Sequence, residues 1–100
     1  PLEFEPGAKF AYSNSGYVVL GAVIERIGGK PYADFLREHI FTPLGMSDTG
    51  YDSDERIIPR RAAGYHATGD GPTYGNAPYL DMSIPHAAGA LYSTTGDLLK

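Results

Sequence analysis

The sequence predicts a mainly α segment with a small β-hairpin and long loops. Two runs of apolar residues at helical spacing, early in the chain, supply the helices. Thirteen glycines and eight prolines in 100 residues supply the breaks between them. Hydrophobic residues make up 42% of the chain, enough for a core, but eight of them are tyrosines, so that core is partly polar. A domain of this size has little stability margin, because much of its surface stays in water.

Residues 1–11 read as an extended lead-in with a turn at Pro6-Gly7, and Phe4 and Phe10 are expected to dock onto the first helix. That helix is placed at about 15–28. Tyr17, Leu20, Ile24 and Ile27 fall at i, i+3, i+7 and i+10, with Val23 beside them. Asn14 or Ser15 is the expected N-cap, its side-chain oxygen accepting from a first-turn N–H. Gly28-Gly29 stops the helix by supplying a left-handed residue past its end. Val18, Val19 and Val23 are β-branched and lower its propensity, so tertiary packing must hold it.

The second helix is placed at about 31–41. Pro31 suits its first position, and Tyr32, Phe35, Leu36 and Ile40 share one face. Thr42 precedes Pro43 and is pushed out of the helical region, which ends the helix. So short a connection predicts a helix hairpin with apolar faces in contact. Pro43-Leu44-Gly45-Met46 is read as a turn that returns Leu44 and Met46 to the core.

Residues 42–92 are read as a loop and hairpin region. Asp48, Asp52, Asp54 and Glu55 lack the glycine and terminal Glu of a calcium loop, and Arg56, Arg60 and Arg61 are their expected surface partners. Ala62-Ala63-Gly64-Tyr65-His66 and Thr73-Tyr74 flank Gly69-Asp70-Gly71-Pro72, the pattern of a short hairpin around a glycine turn. Residues 76–92 are expected to be loop. A helix is expected to start at 94 and run to 100, capped by Ser93 or Thr94, with Thr94-x-x-Asp97 as a capping box.

Composition narrows the function classes. A net charge of −4 and a pI near 5.1 argue against nucleic acid or an anionic membrane as partner. No apolar run approaches a membrane span. Without cysteine there is no thiolate chemistry and no Cys-based zinc site. His66, His86, Asp70 and Asp81 have no helix-face or hairpin ligand spacing, so no metal site is assigned. Gly69, Gly71 and Gly75 miss the dinucleotide pattern by one residue, and no cofactor is assigned. Neither Ser15 nor Ser93 sits in G-x-S-x-G, since Ser13 and Leu91 hold the first glycine position.

One short stretch carries chemistry: Tyr12-Ser13-Asn14. A Tyr and an Asn two apart, just before a helix, are held on a fixed turn and can point into one cleft. Taken alone, the triplet also fits a helix cap and a half-buried aromatic. It continues, however, into Leu20-Gly21 and Glu25, then Gly29-Lys30-Pro31-Tyr32, Pro43-Leu44-Gly45-Met46, Thr49-Gly50 and Ala87-Ala88-Gly89-Ala90-Leu91-Tyr92-Ser93-Thr94-Thr95-Gly96-Asp97. This ordered series resembles the serine β-lactamase-like hydrolases: class C β-lactamases, penicillin-binding D,D-peptidases and related esterases. The resemblance implies the helical subdomain of their α+β fold. It implies that Tyr12 and Asn14 are the second catalytic motif, Y-x-N standing where S-D-N stands in other branches.

The other two motifs are missing. Three residues before Lys9, Lys30 and Lys100 stand Pro6, Ile27 and Asp97, so there is no S-x-x-K, and neither K-T-G nor H-x-G occurs. Gly89 is followed by Ala90 where the family pattern has a second glycine. The chain begins without Met and stops within an apolar run, so a central fragment is expected. The implied parent is a serine acyl hydrolase acting on a β-lactam, a D-amino-acid peptide or an ester through an acyl-enzyme. The fragment alone is expected to be inactive and to self-associate weakly through uncovered apolar surface. The alternative is a non-catalytic helical binding or structural module with a vestigial Y-x-N.

Overall fold

The computed structural model describes residues 2–69 and 71–100. Helix α1 spans Asn14–Gly28 and helix α2 Tyr32–Leu36, continued by a π-helical turn over Arg37–Phe41. Strand β1 (Gly50–Tyr51) pairs antiparallel with β4 (Leu91–Tyr92), and β2 (Tyr65–Ala67) with β3 (Tyr74–Asn76). Short 3₁₀ turns occupy His86–Ala88 and Asp97–Leu99.

Helix α1 ends where Gly29 takes a left-handed conformation (φ 65°) and its N–H donates to the Glu25 carbonyl at 2.9 Å. Pro31 flanks α2 rather than opening it; Tyr32 comes first, and its N–H donates to the Glu25 carboxylate at 2.8 Å. Glu25 thus caps the second helix from the first. The π turn adds a residue to the helical repeat, which turns Phe41 into the core and leaves Ile40 outside. Of the turn that follows, Met46 packs on the core and Leu44 is exposed.

The side of α1 that packs differs from the side its apolar spacing marks. Gly21 is the buried residue of the helix, and a Cβ placed there would lie 2.5 Å from Cβ of Ala87. The 86–88 turn therefore lies directly on the α1 backbone. Ile24 joins the core beside this contact. Tyr17, Val19, Leu20, Val23 and Ile27 face solvent, Ile27 at 82% exposure. Phe10, expected to dock on α1, is 88% exposed, while Phe4 lies under the Lys9 ammonium.

The core is small: Tyr32, Leu36 and Phe41, ringed by Ile24, Met46, Tyr51 and Ala87. The Cα radius of gyration is 16.7 Å, against roughly 13 Å for a compact domain of this length. Two buried carboxylates do part of the holding. Asp52, expected at the surface, is buried and takes Arg61 in a two-pronged pair at 2.6 and 2.8 Å. The Asp52 N–H extends the β1–β4 ladder to the Ala90 carbonyl.

Asp97, 3% exposed, accepts from the Asp48 N–H and the Thr49 hydroxyl, each at 2.8 Å. Half of the expected capping box forms, with the Asp97 N–H donating to Thr94 Oγ1 at 3.2 Å, but the carboxylate turns to Asp48 and Thr49, just before β1, instead. The hydrogen-bonded Lys100 ammonium, helped by the Thr49 and Asp48 donors, holds the Asp97 carboxyl below the usual carboxylate range against the opposing effect of burial. The helix expected over 94–100 is a single 3₁₀ turn, and the region expected to be all loop contains β4. Of the expected glycine turn, Asp70 lies outside the described residues. Among the described residues, no helix is long and apolar enough to cross a membrane.

Two outcomes follow. Asp97 has a lower pKa folded than unfolded, so its stabilisation is present above the unfolded value of 3.8 and lost as pH falls through the folded one. Asp97→Asn is expected to lower the melting temperature at neutral pH and to flatten its fall between about pH 5 and pH 2, read by circular dichroism melts. The exposed stripe on α1 is expected to drive weak, concentration-dependent association in sedimentation experiments. The pair Leu20→Glu and Val23→Lys should abolish that association while leaving helicity intact.

Candidate active site

Tyr12 and Asn14 flank the residue that starts α1. That residue is Ser13, not Asn14 or Ser15. Ser13 is extended (φ −144°, ψ 112°), and its Oγ accepts from the Gly16 N–H at 3.1 Å. Asn14 is already helical, which frees its side-chain amide from capping. Tyr12 is the last but one residue of the extended lead-in and is 66% exposed. Its ring leans on Tyr17 from the first turn, centroids 5.9 Å apart and planes at 40°. Both side chains therefore stand open on either side of a capped helix start.

Asn14 opens onto a groove of about 360 Å³. Ser15, Val18 and Val19 form its α1 wall, and Ile84, Pro85 and Ala88 form the other. The apolar lining is suited to hold part of an organic substrate beside an amide that can both donate and accept. Sequence reasoning missed this second wall. Its signal is the small pair Gly21 and Ala87, whose contact brings residues 84–88 against α1.

Behind the groove sits His86, with a positive φ of 43°, uncommon outside glycine. Its Nδ1 lies 3.2 Å from the Tyr51 hydroxyl, and its ring meets Tyr32 edge-on at 5.2 Å. Burial pushes the Tyr32 phenol up; burial and then the Glu25 charge do the same for Tyr51. Both rings stay neutral and act as packing. On the far loop, the Asp54 carboxylate accepts from the Tyr79 hydroxyl and raises that phenol to about 12. Among the described residues, neither the Tyr12 nor the Asn14 side chain is hydrogen-bonded to any of these groups.

The Ser13 cap fixes the angle between Tyr12 and Asn14. Ser13→Ala is expected to cost about 1 kcal/mol of stability in denaturant titration. Ser13→Asp should retain most of it, since a carboxylate caps equally well.

The Beta-lactamase family model matches residues 1–100. The chain is 40% identical over 100 residues to the serine beta-lactamase-like protein LACTB, mitochondrial, of Mus musculus, covering 100% of this chain and 18% of that protein. Among solved structures, it is similar to D-amino acid amidase from Ochrobactrum anthropi SV3 complexed with D-phenylalanine. The TM-score is 0.80 at 34% identity, over 98% of this chain and 32% of that one. It is likewise similar to the penicillin binding protein from Bacillus halodurans, with a TM-score of 0.80 at 28% identity over 99% of this chain and 30% of that one. The chain thus spans between 18% and 32% of these relatives. On the full-length family match and these likenesses, the chain belongs to the Beta-lactamase family.

Proposed function

We propose that the chain is the helical subdomain of a larger α+β serine acyl hydrolase and supplies the proton-transfer half of its active site. The substrate class is an amide, β-lactam or ester opened through an acyl-enzyme. The observation that carries the reading is the exposed Tyr12–Asn14 pair straddling the Ser13 cap, beside an apolar groove, in a chain of this family. Tyr12 is the proton shuttle: its hydroxyl passes a proton from the attacking serine to the leaving group, then takes one from water. Asn14 orients the substrate carbonyl and the lysine that assists the serine. The serine and lysine come from outside these residues, since none of Lys9, Lys30 and Lys100 follows a serine by three positions. The exposed stripe on α1 supports the same reading, because a helix with an apolar face needs a covering layer.

In the full-length protein, Tyr12→Phe is expected to lower kcat by roughly 10²-fold or more, the usual weight of a positioned proton transfer. The 100-residue chain by itself is expected to leave nitrocefin and p-nitrophenyl esters unhydrolysed above buffer. Turnover by this chain that disappears in Tyr12→Phe would overturn the division of labour, and an unchanged kcat in the full-length variant would overturn the role of Tyr12.

A further inference from the structure

A second cavity, of about 540 Å³, opens between the π turn and the β1–β4 pair. None of its walls comes from the Tyr12–Asn14 segment. Its apolar surface is made by Phe41, Met46, Tyr51 and Tyr92. The Tyr92 ring is able to lie across β1 because Gly50 stands opposite; a Cβ there would sit 2.7 Å from the Tyr92 hydroxyl oxygen. The shape of the cavity therefore depends on this one glycine.

The rim carries two guanidinium groups, Arg37 and Arg56, and no carboxylate lines the cavity among the described residues. This is unusual placement in a chain of net charge −4. Among the described residues, Arg37 has one ion-pair partner, Asp34 at 2.8 Å, with both side chains substantially in water. Such a pair is weak, and an incoming carboxylate competes with it readily. Guanidinium matches the planar geometry of a carboxylate better than any other cation in a protein. The volume is that of a small-molecule site, and an apolar body with a few convergent polar groups is the usual composition of one.

We infer that this cavity binds a small organic monocarboxylate, its aromatic or aliphatic body against Phe41, Met46 and Tyr92 and its carboxylate between Arg37 and Arg56. The site is separate from the hydrolytic one and does not rest on that reading. The full-length protein, isotopically labelled, is titrated with 4-phenylbutyrate and, in parallel, with its uncharged amide. The acid is expected to shift the Met46 methyl and Tyr92 ring signals and to bind about tenfold more tightly than the amide, the weight of hydrogen bonds to a charged group. In R37Q/R56Q the acid should fall to the affinity of the amide, and the amide should be unaffected. In Gly50→Val both ligands should weaken. Acid and amide binding equally well to the unaltered protein, or shifts confined to the Asn14 groove with Met46 and Tyr92 unmoved, would overturn the inference. Hydrolysis assays with Tyr12→Phe read the other site independently.

Discussion

The contact between Gly21 and the 86–88 turn is the one that the rest of the arrangement depends on. It is a close approach of backbone to side chain that any larger residue at position 21 would block. It lays Ala87 on α1, and with it sets both Ala88 and Pro85 beside Asn14 and His86 beside Tyr32 and Tyr51. Groove and core are thus two sides of one packing event. His86 adopts a positive φ at the pivot, a conformation costing about 1–3 kcal/mol for a residue with a side chain. The Tyr51 hydroxyl and the Tyr32 ring hold it there.

With so few buried apolar side chains, polar ties matter more than they do in a compact domain. Among the described residues, Asp52 and Asp97 are the two buried charged ones, and each ties separate segments together. Asp52 clasps Arg61 while its backbone continues the β1–β4 pairing. Asp97 gathers Asp48, Thr49 and Lys100. A buried charge whose partner is removed is costly, so these ties fix which segments meet even where the net energy of each is small. They position the strand pair whose Tyr92 walls the second cavity.

The hydrolytic reading and the packing reading meet at Ser13. A serine cap occupies one residue, leaves both neighbours free of capping duty, and sets their relative direction by the switch from extended to helical backbone. Chemistry placed at such a junction inherits the rigidity of the helix on one side and the openness of the lead-in on the other. In the proposed function, Tyr12 on the open side carries the proton and Asn14 on the helix supplies the orienting amide.

Local chemistry was enough to read several elements from the sequence. The 3.6-residue spacing and the paired glycines mark α1, the glycine-rich turn marks the β2–β3 hairpin, and the family resemblance read along the chain agrees with the family match. Most of what it missed turns on partners that meet only in the folded chain. Spacing identifies an apolar face but not what covers it: the stripe of Leu20, Val23 and Ile27 stays exposed, and α1 meets the 86–88 turn through Gly21 instead. The β1–β4 pair joins residues about forty apart, each strand two residues long, too short for any periodicity to register. The π turn that exchanges Ile40 for Phe41 has no compositional mark, because one inserted residue alters register without altering composition. Asp52 reads as a surface acid and Asp97 as a helix-capping one, because burial of a carboxylate is decided by the donors that fold around it. The sequence by itself determined α1, the start of α2, the β2–β3 hairpin and the family; tertiary structure alone decided which faces are covered, since covering is a property of pairs of segments and not of either one.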